Sequence, residues 1–258
     1  MPAFGRMNIP DKFPPDARAA GHLTAAILAG GMGTRLRALV SDRPKALAEV
    51  NGAPFILYLL EWLARQGVED VVLCTGYGAQ ALESEVGRER GPLRLTYSRE
   101  PAPLGTGGAL RHALGVLRSD PVLVLNGDSY HDLDLSGMYR LHRERQAGVT
   151  IALCEVEDAG RFGSVEIGPD GRIMSFLEKQ PQRRNGWINA GIYLIAKEVL
   201  RNLPPGRACS LEREVFPSLL GGRFFGFRGG SSEFIDIGTP ASYQSAAAFF
   251  ARHPLRRG

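Results

Sequence analysis

The sequence predicts an α/β fold, a mixed, mostly parallel sheet flanked by helices. Three observations predict it. Short apolar runs of strand length recur at Ala25 to Ala29, Val71 to Cys74, Leu93 to Tyr97 and Val122 to Leu125, with helical stretches between them. That alternation builds parallel strands joined by crossover helices. The run Val122 to Leu125 is solidly apolar rather than alternating, as a strand covered on both faces has to be. At 258 residues and 44% hydrophobic, the chain is long enough to bury one good core.

Composition excludes several classes of function. The net charge of +4 is too small and too scattered for a nucleic-acid surface. No apolar run approaches the length of a membrane span. Residues 1–22 carry Pro2, Pro10, Pro14, Pro15, Asp11 and Asp16 but no apolar stretch, so they read as a loose N-terminal arm and not as a signal peptide. Cys74, Cys154 and Cys209 lie far apart without metal spacing; buried thiols in a reducing cytoplasm are the expectation. The five histidines form no ligand pattern either.

In chain order, the first strand breaks into Gly30-Gly31-Met32-Gly33-Thr34-Arg35, and Pro44-Lys45 follows. Glycines straight after a strand let the backbone approach a ligand and turn N–H groups toward phosphate oxygens. Arg35 and Lys45 would bring the positive charge a triphosphate needs. A dinucleotide fingerprint would require a third glycine where Leu36 stands, and a P-loop would require Lys-Ser or Lys-Thr. A glycine-rich turn without a ligand is the plainer alternative.

Pro54 and Gly67 bracket a helix, FILYLLEWLARQ, in the expected order of proline at the start and glycine at the stop. A short helix is expected near 79 to 86. The next segment, Glu100 to Gly108, contains Leu104-Gly105-Thr106-Gly107-Gly108, a second glycine-rich turn that opens a helix over 109 to 117. An ordinary loop and helix start would look the same. As a functional element it suits close approach to a nucleobase. Glu100 could accept from both the ring N–H and the amine of guanine, a pair of donors that uracil does not offer.

The strand ending at Leu125 delivers Asn126-Gly127-Asp128 at its carboxyl end, where open α/β sheets bind ligands. Asn-Gly is also a hairpin signal, but the flanking residues do not alternate. Asp128 is therefore a candidate metal ligand. From residue 149 the pattern changes to strands and hairpins: VTIALCEVED, Phe162-Gly163-Ser164-Val165, a turn at Pro169-Asp170-Gly171, RIMSFLEK ending on Glu178-Lys179, and Trp187 to Tyr193. An exposed Glu-Lys pair is ordinarily a solvated strand edge. Asp236 lies between Ile235 and Ile237 ahead of Gly238-Thr239-Pro240; it faces either solvent or the cleft if its neighbours face the core. We read residues 23–258 as one domain, with an α/β half over about 23–148, a β-rich part over about 149–240 and a terminal helix over about 240–253. Phe249 and Phe250 on that helix leave open whether it packs inward or against a partner in a homo-oligomer.

Six strings, A-G-G-x-G-T-R-L with its downstream Pro-Lys, P-L-G-T-G-G, N-G-D, F-G-x-V with E-K, I-N-x-G-I-Y and F-I-D-I-G-T-P, resemble in sequence and order the sugar nucleotidyltransferases over roughly residues 23 to 248. The resemblance implies a Rossmann-like nucleotidyltransferase fold with a small β-rich sugar-binding insertion, which makes the α/β half the nucleotide half and the β-rich part the sugar-binding part. It implies that Leu28, Ala29, Gly30, Gly31, Gly33, Thr34, Arg35, Lys45, Glu100, Leu104, Gly105, Thr106 and Gly127 bind the nucleotide. Gly163, Glu178, Lys179, Asn189 and Gly191 would bind the sugar phosphate, and Asp128 with Asp236 would hold Mg²⁺. Arg35, Lys45, Asp128 and Lys179 would carry the catalysis. Only four of the 31 basic residues are lysines, at positions 12, 45, 179 and 197. Two of them fall where this family uses the compact ammonium.

The implied reaction joins a sugar 1-phosphate to a nucleoside triphosphate and releases pyrophosphate, with neither nucleic acid nor membrane as a partner. GTP and D-glycero-α-D-manno-heptose 1-phosphate are the expected pair, giving GDP-heptose for surface polysaccharide. Uridylyl transfer to N-acetylmuramate 1-phosphate and guanylyl transfer to mannose 1-phosphate are the alternatives. From other classes, a nicotinamide-dependent oxidoreductase lacks the third glycine. A noncatalytic regulatory relative would have lost its metal ligands, whereas both aspartates and both lysines are present. The hexapeptide β-helix appended to many members is not expected after the terminal helix.

Overall fold

The computed structural model of the chain describes residues 21–31, 36, 43–159, 164–177 and 185–255. The first half alternates as expected: β1 (Thr24–Leu28), a single helical turn at Lys45–Leu47, the short pair β2 (Glu49–Val50) and β3 (Ala53–Pro54), α1 (Phe55–Arg65) and β4 (Asp70–Thr75). Then come α2 (Ala79–Val86), β5 (Glu89–Arg90), β6 (Leu93–Arg99), α3 (Gly105–Ala113) and β7 (Val122–Asn126). The second half contains β8 (Ser129–Leu133), α4 (Leu135–Glu144), β9 (Val149–Val156), β10 (Ser164–Ile167), β11 (Ile173–Leu177), β12 (Gly186–Ile195) and α5 (Lys197–Arg201). A π-helical turn at Leu211–Val215 leads into α6 (Phe216–Ser218), β13 (Phe224–Phe227), β14 (Gly230–Asp236) and α7 (Pro240–Ala251).

The centre of the sheet is parallel. β1 lies between β4 and β7, and β6 continues beyond β4. β12 joins the free edge of β7 in antiparallel sense, β9 runs antiparallel along β12, and the β10–β11 hairpin extends the same edge. The sheet is thus mixed around a parallel centre with helices on both faces, as the sequence predicts. Successive residues of a strand point to opposite faces, and β1 shows it: Ala25 and Ile27 join the core cluster that contains α1 and α7, while Ala26 joins the one that contains α3. α1 buries Phe55, Ile56, Leu59, Leu60, Trp62 and Leu63 at 1% exposure or less. Full burial of each such side chain contributes about 1.5–3 kcal/mol. Gly67 adopts φ +77° just past the end of that helix, the left-handed stop that glycine makes cheaply.

Three local outcomes refine the sequence reading. α3 begins at Gly105, not near 109, so the second glycine turn is the first turn of the helix. Glycines disfavour helix, and the first amides of any helix lack internal partners. Here a distant carbonyl compensates: Gly107 N–H and Gly108 N–H both donate to Cys209 O, at 2.9 and 3.2 Å. Asn126-Gly127 is no hairpin, because β8 pairs with β14 in a separate two-stranded ribbon. Phe250 of α7 packs inward, its ring centroid 5.8 Å from Phe55, 4.0 Å from Tyr58 and 5.2 Å from Tyr130. The three cysteines are buried free thiols. Among the described residues no helix is long and apolar enough to cross a membrane.

Candidate active site

The carboxyl ends of β1, β4 and β7 open on a cleft of about 280 Å³. Leu28, Ala29, Gly30 and Gly31 line it from the first glycine turn, Glu100, Gly105 and Thr106 from the second, and Gly127 and Asp128 from the turn after β7, with Lys45 beside them. Leu104 reaches the site through its backbone, its N–H donating to Glu100 Oε2 at 2.7 Å. Gly33, Thr34, Arg35, Gly163, Glu178 and Lys179 lie outside the described residues.

The glycines of the cleft have different local reasons. A Cβ on Gly30 would come within 2.6 Å of Glu100 Oε1 and 3.2 Å of Gly76 N, whereas one on Gly31 would meet nothing within 4 Å among the described residues. A Cβ on Gly127 would press to 2.6 Å from Leu28 O, so the turn after β7 crosses directly over the end of β1. Gly105 has φ +69°, and its Cβ would lie 2.6 Å from Cys209 O.

The charged centre stands at the end of β7. Lys45, set by the helical turn that follows Pro44, places Nζ 2.5 Å from Asp128 Oδ2; the two side chains are 16% and 34% exposed. Ser129 Oγ donates to Asp128 Oδ1 at 3.2 Å. β14 runs antiparallel to β8 with Asp236 opposite Ser129, and Ile237 N–H donates to Asp128 O at 2.9 Å. The Asp236 carboxylate accepts from Gly238 N–H, and a Cβ on Gly238 would lie 3.1 Å from Lys45 Nζ. The ribbon therefore brings the two candidate metal ligands, far apart in sequence, to the ends of neighbouring strands, with Lys45 paired to Asp128.

This donor set fits a hard divalent cation. It offers carboxylate oxygens from adjacent backbone positions and no soft ligand. Among the described residues no cluster of three or more His, Cys, Asp or Glu could hold a metal. A cation here would accordingly complete its shell with substrate oxygens and water, the usual arrangement for Mg²⁺ at phosphate sites. Elsewhere in the cleft, burial pushes the Glu100 carboxyl above its ordinary range, against the lowering effect of Leu104 N–H and His112. Burial, with a smaller contribution from Glu100, pushes the Cys74 thiol up to about 12, so it stays protonated and unreactive at neutral pH.

The expected sugar side meets the same region from β12. The pairing of β12 with β9 breaks between Asn189 and Tyr193. At that break Gly191 takes φ +75°, and a Cβ there would lie 3.0 Å from Asn126 Nδ2. Asn189 Nδ2 donates to Tyr193 Oη at 2.9 Å, and Asn189 Oδ1 accepts from Gly191 N–H at 2.9 Å. Three residues that sequence reasoning passed over belong to this junction. Asn126 and Tyr193 sit inside quoted motifs without an assigned role. Glu212, bonded to Thr106 Oγ1 at 2.8 Å, stands in a charged run, Leu211-Glu212-Arg213-Glu214, that carries no local signal.

An ammonium paired with one aspartate, with a second aspartate on the adjoining ribbon strand, at the ends of parallel strands and against bare glycine backbone, suits the handling of nucleoside phosphates, and the fold and site together define a nucleotide-dependent transferase. The nucleotidyl transferase family pattern matches residues 24–253, nearly the whole chain, and the chain belongs to that family. It is 37% identical over 238 residues to the mannose-1-phosphate guanylyltransferase of Mycobacterium tuberculosis, covering 91% of this chain and 66% of that protein, just under two thirds of its length. It is 35% identical over 225 residues to the D-glycero-alpha-D-manno-heptose 1-phosphate guanylyltransferase of Aneurinibacillus thermoaerophilus, covering 87% of this chain and 96% of that protein. The crystal structure of HddC from Yersinia pseudotuberculosis complexed with GMP-PN superimposes with a TM-score of 0.77 at 32% identity, over 88% of this chain and 99% of that one.

Proposed function

We propose that the chain transfers a guanylyl group from GTP to D-glycero-α-D-manno-heptose 1-phosphate, releasing pyrophosphate and forming GDP-heptose. The observation that carries the reaction class is the Lys45–Asp128 pair at 2.5 Å with Asp236 beside it. The choice of base and sugar is supported by the heptose-specific relative, matched over 96% of its length, and by HddC, whose structure was solved with a guanine nucleotide analogue.

The sugar phosphate oxygen is already an anion at neutral pH, so its attack needs no general base and no covalent enzyme intermediate. It attacks the α-phosphorus in line; the bond to the bridging oxygen breaks, and pyrophosphate leaves with the electron pair. The protein's task is to bring two polyanions together and offset the charge that accumulates. Asp128 and Asp236 would hold Mg²⁺, which when bound supplies positive charge to the α-phosphate oxygens. Lys45 and Arg35 stabilise the triphosphate and its leaving group, with the Gly30-Gly31 backbone against the phosphates. Lys179 offsets and aims the incoming phosphate. Glu178 and Asn189 take sugar hydroxyls, Gly163 and Gly191 admit the ligand close to the backbone, and Glu100 reads the guanine edge.

One observation favours a second reading, mannose 1-phosphate as acceptor: the higher identity, 37%, is to a mannose enzyme. Pyrophosphate release with Mg²⁺ decides, crossing GTP, UTP, dTTP, CTP and ATP with the 1-phosphates of manno-heptose, mannose and N-acetylmuramate. We expect release with GTP and the heptose. A preference for mannose installs the second reading, release with UTP removes guanine recognition, and silence with every pair sinks the reaction class.

A further inference from the structure

The reaction just described has no task for Glu212, yet its carboxylate lies where the two sides of the cleft meet. Glu212 Oε2 accepts from Thr106 Oγ1 at 2.8 Å and from Ser210 Oγ at 3.0 Å. Glu212 Oε1 accepts from Tyr193 Oη at 3.4 Å. Thr106 lies on the first turn of α3 and lines the cleft. Tyr193 lies on β12 and is fully buried.

Donor counting fixes the direction of the chain. The Tyr193 hydroxyl receives Asn189 Nδ2 at 2.9 Å and Asn126 Nδ2 at 3.4 Å. Both are N–H donors, so the single hydroxyl proton goes to Glu212. Asn189 in turn accepts Gly191 N–H at 2.9 Å. A continuous path therefore runs from Thr106 through Glu212 and Tyr193 to the bulge at Asn189 and Gly191. It also touches Asn126, two residues before Asp128.

Holding its own segment in place does not explain this carboxylate. The backbone already does that: Cys209 O takes Gly107 N–H at 2.9 Å and Gly108 N–H at 3.2 Å, and Cys209 N–H donates to Leu104 O at 2.8 Å. What Glu212 adds is the connection to Tyr193. Only a carboxylate can accept three hydroxyls with two oxygens, since the amide nitrogen of glutamine accepts nothing. Glu212 also sits on a π-helical turn, an irregularity that recurs at functional sites.

We propose that Glu212 is a positioning residue that fixes the Thr106 turn and the Asn189–Gly191 bulge in one relative placement, so that nucleotide and acceptor sugar meet in register. This rests on the reading of those elements as the nucleotide and sugar sides. Glu212→Gln, Tyr193→Phe and the double variant test it. In Glu212→Gln the one remaining oxygen serves Thr106 and Ser210, and Tyr193 loses its acceptor. Each single variant should raise the KM for the sugar 1-phosphate about tenfold at saturating nucleotide. The double variant should raise it no further, because the same link is already cut.

An unchanged KM with only kcat reduced, or additive effects in the double variant, would overturn the proposal and leave Glu212 a purely structural residue. Amide hydrogen exchange on the ligand-free proteins supplies a readout that needs no turnover. Glu212→Gln should speed exchange in a peptide spanning 186–193 while α1 stays protected. A change confined to 210–215 overturns the proposal. Wild-type silence with every substrate pair, together with faster exchange at 186–193, would sink the proposed reaction while keeping the link.

Discussion

The two glycine-rich turns look alike in sequence but stand for opposite physical situations. In the second, Gly105, Gly107 and Gly108 all face the segment around Cys209. Added Cβ atoms would lie 2.6 Å from Cys209 O, 3.3 Å from Cys209 O and 2.8 Å from Arg207 O respectively. Two amides of that turn are taken by Cys209 O as well. Its glycines answer to the protein's own chain. In the first turn, Gly30 answers to Glu100 and Gly76, but Gly31 has open space around it among the described residues and lines the cleft. Nothing in the described protein calls for a missing side chain at Gly31, which the proposed function sets against the phosphates. A bare backbone is thus a packing device in one turn and, under the proposed function, a binding surface in the other.

The largest effect that would break this comparison is at Gly105. Alanine there must hold φ near +69° and fit a Cβ within 2.6 Å of a backbone carbonyl. A left-handed L residue costs about 1–2 kcal/mol and overpacking about 1–3 kcal/mol. We expect Gly105→Ala to lose about 3 kcal/mol of folding stability by denaturant titration. Wild-type stability would mean that the Cys209 segment does not press on the turn.

Gly31→Ala should do the reverse. The backbone there is not left-handed and no described residue would meet the added methyl, so stability should stay within about 0.5 kcal/mol of wild type. A methyl group against the triphosphate displaces the reacting phosphorus, and a shift on the order of 1 Å costs about a hundredfold in turnover. Full activity in Gly31→Ala would place the nucleotide elsewhere and dissolve the distinction between the turns.

Much of the fold was legible because its signals are local. The apolar run Val122 to Leu125, Pro54 ahead of α1 and Gly67 after it each declare themselves within a few residues. The Lys45, Asp128 and Gly31 positions were legible through motifs anchored to strand ends, and the structure brings them to one cleft. What sequence could not show depends on partners far along the chain. The early start of α3 relies on a carbonyl at Cys209, about a hundred residues away, as the Glu212–Thr106 bond does across a separation of 106. Tyr193 is a buried aromatic like any other until Asn126 and Asn189 converge on its hydroxyl. Of those pairings only Asn189 with Tyr193 falls within one window of residues, four apart; the rest are not local. Gly33, Thr34, Arg35, Gly163, Glu178 and Lys179 rest on motif alone, outside the described residues.

The smallest of the three effects concerns Glu100, which bridges the two turns: Oε1 abuts Gly30 and Oε2 holds Leu104 N–H. Burial, the larger influence, raises its folded-state pKa. A carboxyl raised in this way contributes stability that is fully present below its unfolded pKa and is lost as pH rises through the folded value. As pH rises above the carboxyl range the folded protein therefore takes on the cost of a buried charge. Glu100→Gln keeps an oxygen for Leu104 N–H and removes the charge, so it should melt higher than wild type at pH 7.5. That advantage should shrink as the solution is acidified through the carboxyl range. The same change places an amide N–H₂ opposite the guanine donors, and the KM for GTP should rise about tenfold while discrimination against UTP weakens. Equal melting at all pH values would deny the burial cost, and an unchanged KM for GTP would move base recognition away from Glu100. Gain of stability with loss of nucleotide selectivity would show that the residue joining the two turns is kept for the ligand at the fold's expense.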